Sequence, residues 1–435
     1  MNLRKSLSLQ HLPFVIYGLV FFYFSFQEPL FSPDTYDYLR ASPQRSPGYV
    51  IFIKFFEFLF PKIYPTIIVV VQLLFGLVAV DLFLRFIARL LDLTTFLKLL
   101  VLGLLLFPFF PPLLIANNIC SEGLSYPLYL LFVVKGIELL YNEKKSSLPI
   151  LAVVYFLLVL TRGQFIVSPM IVAFAYFLKN RNSIFKKVYV TRIAIVFLLP
   201  IVAVLADKSY HKLKDGHFIS TPYTFVNMST AAFYVSKKMD VDFISRPDYK
   251  MIFNECYLHL ERKNLLMTSQ ERAGYKTYYN HFHNNVPQIC NRTIHRISRN
   301  HYFNQYLLSS NDKKSASAFA AWQSELACKS LFFTLVSHNF NDWIQLYYQN
   351  LVHGFKSLAI LLFIVVIFLF STYKILFKPR TYDYILFIFS ALILSNALII
   401  SLAGHSIMRY LFYNYILMFL ILIVLFKSYD HAKRP

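Results

Sequence analysis

A chain of 435 residues with 57% hydrophobic and only 15% charged side chains carries more long apolar runs than a soluble core needs. Its formal net charge of +21 would suit nucleic acid, but Lys and Arg fall mainly between apolar runs and form no aromatic-interleaved basic groove. A soluble enzyme and a nucleic-acid binder are thereby excluded, and the charge reads as membrane topology plus attraction to anionic lipid head groups.

In chain order, Asn2 to Gln10 is a short polar leader with Arg4 and Lys5, and Leu12 to Phe26 is the first apolar run. Bulky Phe and Tyr fill that run and no small-residue cleavage pattern follows, so a retained span is expected rather than a signal peptide. A polar stretch comes next, Pro33-Asp34-Thr35-Tyr36-Asp37-Tyr38-Leu39 and then Arg45-Ser46-Pro47-Gly48-Tyr49. Tyr49 to Phe60 is amphipathic and stops at Pro61, which predicts a helix lying along the membrane surface.

Further spans are predicted at Ile63 to Val80, Leu97 to Ile115, Gly123 to Leu140, Leu148 to Leu160, Phe165 to Leu178, Val188 to Ala206, Gly354 to Tyr373, Tyr384 to Leu402 and Leu411 to Phe426. The expected class is an all-α polytopic membrane protein of about ten transmembrane helices, the fifth and sixth thin enough to be re-entrant. With a cytoplasmic N-terminus, the inside loops hold Arg85, Arg89 and Lys98; Lys144 and Lys145; Lys179, Arg181, Lys186 and Lys187; Lys374, Lys378 and Arg380; and Lys427, Lys433 and Arg434. The short outside loops hold chiefly Arg40, Arg45, Arg162 and Arg409, so the positive-inside rule puts both ends in the cytoplasm and the Asp34 loop outside.

One hydrophilic insertion, from Asp207 to Asn350, interrupts the spans between the seventh and eighth and falls outside as well. Pro247 to Leu266, Thr268 to Asn284 and Ser315 to Val336 carry apolar residues at helical spacing, and Thr268 with Glu271 has the form of a capping box. The expected division is a membrane module over 1–206 with its first outside loop at 28–62, a mostly helical extracytoplasmic domain over 207–352, and a second membrane module over 353–435. Cys120, Cys256, Cys290 and Cys328 all fall outside, where disulfides or four free thiols are equally in keeping with the spacing. The sequons Asn227-Met228-Ser229 and Asn291-Arg292-Thr293 are expected by chance in a chain this rich in Asn.

The outside loops carry the candidate chemistry. Asp34 and Asp37 lie three apart and share a helical face if a helix begins there. One carboxylate at the membrane surface could serve as a general base with its pKa raised by the low dielectric, and two could bind a divalent cation. The alternative is an Asp34 that caps the helix and an Asp37 that is a solvated first-turn acid. Arg45 stands close by in sequence; Glu122 heads a span in Asn117-Asn118-Ile119-Cys120-Ser121-Glu122-Gly123-Leu124; Arg162 occupies the third outside turn, and His405 and Arg409 the last. Taken singly each reads as an interfacial anchor, whereas all four loops together argue for one polar pocket.

An acid followed closely by Tyr in the first outside loop, Arg-x-Pro-Gly-Tyr entering a surface helix, and Ser-Glu-x-Leu in the second loop resemble the GT-C superfamily of integral membrane glycosyltransferases. The resemblance covers the first 180 residues, the last 80 more loosely, and within the insertion only Asn339-Phe340-Asn341-Asp342-Trp343-Ile344. It implies a polyprenyl-phosphate-linked sugar as donor, a glycan, glycolipid or protein as acceptor, and a multi-pass enzyme of the cell inner membrane with its site on the periplasmic face. Asp34 would then be the catalytic base for inverting displacement at the anomeric carbon, with Glu122 and Asp37 assisting the acceptor or a metal. Arg45, Arg162, Arg409 and His405 would hold the donor phosphate. Asp34-Thr35 stands where some relatives have two adjacent acids, which leaves a divalent cation held by Asp34, Asp37 and Glu122 open. The alternative from another class is an O-antigen or capsule polymerase, which also holds polyprenyl diphosphate with outside arginines; a transporter would show paired broken spans in two related halves, and none is visible. The basic insertion, with Lys237, Lys238, Arg292, Arg296 and Arg299, suits an anionic acceptor or a solvated basic face.

Overall fold

The computed structural model describes residues 3–141, 147–183, 185–270 and 275–433, and among them there is no strand. Lys144, Lys145, Glu271 and Arg434 lie outside the described residues. The chain opens with α1 (Leu3–Ser25), the short α2 (Pro33–Leu39) and α3 (Pro47–Leu59), followed by α4 (Tyr64–Leu90), α5 (Thr95–Leu106) and α6 (Glu122–Tyr141). Then come α7 (Ser147–Thr161), α8 (Ser168–Asn180) and α9 (Lys187–Asp215). The insertion holds α10 (Thr224–Tyr234), α11 (Pro247–Arg262), α12 (Tyr275–Ile289), α13 (Arg296–Leu307), α14 (Lys313–His338) and α15 (Phe340–Gly354). The chain closes with α16 (Leu358–Phe377), α17 (Thr381–Ala403), the single-turn α18 (Met408–Leu411) and α19 (Tyr413–Lys433).

Five helices, α4, α6, α9, α16 and α17, are long and apolar enough to cross a membrane. In the other predicted runs the apolar helical stretches are shorter, 10–17 residues in α1, α5, α7 and α19 and 13 in α8, whereas a crossing takes about 20 residues at a rise of about 1.5 Å each. The run predicted from Leu97 to Ile115 shows the cause: its α-helix stops at Leu106, and a tight turn over Phe107–Phe109 leads to Pro111 and Pro112. Proline has no N–H to continue the ladder, so three prolines within five residues end the helix early. In the other direction α9 runs past the expected boundary at Ala206 to Asp215, where Gly216 at φ +80° ends it and donates its N–H to the Lys212 carbonyl.

Side-chain exposure fits a lipid surround. α9 and α16 turn many apolar side chains outward, among them Phe197, Ile201, Leu362 and Val366, while α6 and α17 are mostly buried between neighbours. α6 packs on α4 and α7, α17 on α16 and α19, and all belong to one apolar core. A second core fills the insertion, built from Phe233, Phe253, Phe282 and Leu331 among others, and the insertion rests on α17 through α10 and α15. All four cysteines are buried free thiols, including the three in that domain, so no disulfide contributes.

A helix forms where one was expected, α3, with Pro47 at its first position where no N–H is required. Tyr49, Val50 and Ile53 face inward against Ile68 and Val69 of α4, and Phe55 and Phe58 face outward. Gly48 touches α7 so closely that a Cβ there would sit 2.8 Å from the Leu160 carbonyl carbon and the Thr161 nitrogen. Both atoms are backbone and cannot swing aside. Gly48→Ala is therefore expected to push α3 off α7 and cost about 1–3 kcal/mol, the usual range for overpacking, read as a lower thermal midpoint in detergent; an unchanged midpoint would contradict this packing.

Candidate active site

The loop after α1 and the loop before α6 are stitched together by backbone. Leu30 N donates to Asn117 O at 2.8 Å, and Ile119 N donates to Leu30 O at 3.0 Å. Thr35, fully buried, accepts from Ser32 N–H at 2.9 Å and donates its hydroxyl to Ile119 O at 2.8 Å. One level down, Tyr49 donates to Gln72 Oε1 at 2.6 Å, and Gln72 Nε2 reaches Asn118 O at 3.2 Å. Gly123 leaves room for that relay, since a Cβ there would stand 2.6 Å from Gln72 Nε2. Ser32, not Asp34, is the residue that precedes α2, so the carboxylate of Asp34 is free for other partners.

Those partners are two arginines, Arg45 of the same loop and Arg409 from near the C-terminus. Arg45 Nη2 meets Asp34 Oδ1 at 2.7 Å and Asp37 Oδ2 at 2.8 Å, and Arg409 Nη1 meets Asp34 Oδ2 at 2.6 Å. Arg409 also pairs through Nε with Glu122 Oε1, reaches Glu122 Oε2 at 3.2 Å and touches Cys120 Sγ. Arg162 Nη1 completes the set at 2.6 Å from Glu122 Oε1. Glu122 is 3% exposed, so its charge depends on these two guanidinium groups. Three carboxylates and three arginines, from four separate loops, thus form one neutral network.

Supporting side chains fix the arginines. Gln164 Oε1 accepts from Arg162 Nε at 3.1 Å, while Gln164 Nε2 donates to Asn396 Oδ1 of α17 at 3.0 Å and to Tyr410 O. Asn396 in turn donates to Asn414 of α19 at 3.0 Å. Arg162 lies over the Tyr410 ring and Arg45 over the Tyr38 ring. A cavity of about 180 Å³ opens beside the network, with Glu122, Arg409, Cys120 and Asn118 on its polar side and Pro112, Leu113 and Ile115 on its apolar side.

The chain matches no family model, no curated protein and no solved structure. What the site can do is read from its own geometry. Burial alone would raise the pKa of Asp34, as the sequence suggested, but Arg45 and Arg409 outweigh it and hold the carboxyl below its ordinary value of 3.8. The expectation of a raised pKa is thus reversed by charge pairing. His405 joins a different group: its ring lies 5.2 Å from that of His283, which lies 4.4 Å from His353. Burial, and then the neighbouring His283 and His353, push His405 down to about 4, so it is neutral near pH 7. Asp34, Asp37 and Glu122 are each paired with guanidinium. Among the described residues no group of three or more His, Cys, Asp or Glu is arranged to hold a metal ion.

The sequence did not mark Gln44, Gln164 and Cys120 as partners of the charged groups, nor Gln72 as the link between Tyr49 and the second loop. Gln72 carried a readable signal, a lone amide inside the apolar run Val69-Val70-Val71-Gln72-Leu73-Leu74. The others sit in ordinary polar loops and signal nothing by type.

Two outcomes follow. Glu122→Ala leaves Arg162 and Arg409 short of a buried counter-charge and is expected to cost about 3–5 kcal/mol, measured by thermal unfolding in nanodiscs; a loss near zero would contradict the pairing. Asp34 has a folded pKa below its unfolded one, so its pairing stabilises fully above pH of about 4 and is lost as pH falls through the folded value. The difference in thermal midpoint between wild type and Asp34→Asn should stay constant from pH 8 to pH 5 and shrink below pH of about 4; a difference that vanished already at pH 6 would refute the depressed pKa.

Proposed function

We propose that the chain is an inverting glycosyltransferase that moves a sugar from a polyprenyl-phosphate donor to an acceptor hydroxyl at the outer membrane–water boundary. One observation carries the reading: Arg409 bridges Asp34 and Glu122, joining a candidate base to phosphate-binding arginines at the head of membrane helices. In this reading about ten helices cross an inner membrane, both ends are cytoplasmic, and the insertion and the network face the periplasm. The acceptor is a glycan or glycolipid of the cell envelope.

The chemistry follows from exchange of partners. A donor phosphate competes with carboxylates for the planar N–H pairs of Arg409 and Arg45, and the buried Nε–H of Arg45 has no partner among the described residues. As the guanidinium groups turn to phosphate, Asp34 loses the charges that depress its pKa and becomes a stronger base. It takes the proton of the acceptor hydroxyl while that oxygen attacks the anomeric carbon from the face opposite the phosphate. The bond from that carbon to the phosphate oxygen breaks, its electron pair stays on the departing polyprenyl phosphate, and Arg45 and Arg409 offset the new charge. Glu122 remains between Arg162 and Arg409 and keeps both in place. The cavity beside Arg409 supports an amphiphilic donor, having Asn118 on one side and Pro112, Leu113 and Ile115 on the other. No step runs through a divalent cation.

The alternative is a polymerase acting on polyprenyl-diphosphate-linked oligosaccharides, which the arginines would serve equally; the candidate base Asp34 held against them favours the glycosyltransferase. The test is transfer of labelled sugar from a panel of polyprenyl-phosphate sugars in purified membranes. Asp34→Asn at equal membrane abundance is expected to lower transfer by about 10²–10⁴-fold. Full activity in that variant, or transfer from diphosphate-linked oligosaccharides alone, would overturn the assignment.

A further inference from the structure

Arg299 of the insertion is linked to the network through Gln44. Helices α12 and α13 are continuous but for a π-helical segment over Cys290–His295, a rare geometry that shifts the side chains after it around the axis. His295 closes that segment and Arg299 lies one turn on, four residues apart and so on one face. Arg299 Nη1 approaches Gln44 Oε1 at 3.4 Å, and Gln44 Nε2 donates to Asp37 Oδ2 at 3.2 Å. Its other terminal nitrogen donates to Ser317 Oγ of α14 at 2.7 Å. Tyr223, just ahead of α10, sets its ring edge-on to His295 at 5.1 Å and donates its hydroxyl to Asn291.

Charge distinguishes Arg299 from the three arginines of the network. Each of those has a carboxylate within 3 Å, whereas Arg299 has neutral partners and, among the described residues, no ion pair. Burial disfavours its charge and Asp37 only partly compensates, so an anion placed there is drawn in. A guanidinium has five N–H donors, and the bonds to Gln44 and Ser317 occupy two nitrogens, leaving donors for an oxyanion. His295 adds hydrogen bonding without charge, because burial, and then the neighbouring Arg299, push its pKa down to about 4.

We propose that Arg299, flanked by His295 and Tyr223, is an anion-binding subsite through which the insertion selects an acidic acceptor, a sugar bearing a carboxylate or a phosphate. The class of acceptor rests on the glycosyl-transfer reading above, but the binding site does not. It sits beside Asp37, one residue pair away from Asp34, so an anion on Arg299 would set an acceptor hydroxyl toward the candidate base.

The test is binding by the full chain in nanodiscs, without donor, followed by saturation-transfer NMR with glucose 6-phosphate, glucuronate and glucose as probes. Wild type is expected to bind one or both acidic sugars at least tenfold more tightly than glucose, and the two acids separate phosphate from carboxylate recognition. Arg299→Gln is expected to remove that preference, and Ser317→Ala to weaken it. Equal binding of glucose and both acids by wild type, or an undiminished preference in Arg299→Gln, would overturn the subsite. Should Arg299→Gln fail to fold, Arg299→Lys carries the test: several-fold weaker binding is expected for loss of the planar fork, and unchanged affinity overturns the proposal. Acid-selective binding in a chain that transfers no sugar would leave the subsite standing and remove the transferase reading. Transfer by a chain whose Arg299→Gln variant keeps the acid preference would do the reverse.

Discussion

Arg409 is the joint on which the charged network depends. It comes from a one-turn helix near the C-terminus, yet it closes on Asp34 at the start of α2 and Glu122 at the head of α6. Without it Glu122 would keep only Arg162, and Asp34 only Arg45. Charges at a membrane boundary are costly to desolvate, and a network whose members neutralise one another makes that cost bearable. The same neutrality leaves the arginines exchangeable, since a phosphate offers them what a carboxylate does.

The membrane helices position the network through a few buried polar contacts. Gln72 on α4 ties Tyr49 of the surface helix to the backbone of the second loop, while Asn396 on α17 and Asn414 on α19 hold Gln164, and through it Arg162. Amides inside apolar helices are tolerated when both ends of the side chain find partners. Glycines do the complementary work, Gly48 admitting the α7 backbone and Gly123 admitting the Gln72 amide. Rigid helices thereby set the geometry of charged groups that lie on loops.

Much of this was legible in the sequence for physical reasons that can be named. Long apolar runs separated by basic loops fixed the all-helical membrane class, and the Arg45-Ser46-Pro47-Gly48-Tyr49 stretch announced a turn into a surface helix. Convergence of the four outside loops followed from counting ionisable groups at the boundary. What stayed hidden was direction. Sequence gave Asp34 a raised pKa from low dielectric, and the two guanidinium groups reverse it. It placed His405 with the phosphate binders, whereas the loop after α17 turns its ring to His283, which stands beside His353, a meeting set by the packing of the insertion on α17. The early end of α5 was visible in Pro108, Pro111 and Pro112, and apolarity masked it.

The most direct measurement is a double-mutant cycle between Glu122 and Arg409, combining Glu122→Gln with Arg409→Gln and reading thermal unfolding in nanodiscs. If the two loops meet through this pair, the double variant should lose less than the sum of the singles, with a coupling of about 0.5–3 kcal/mol. Strict additivity would mean that the last outside loop does not close on the second, and the assembled site would have to be given up.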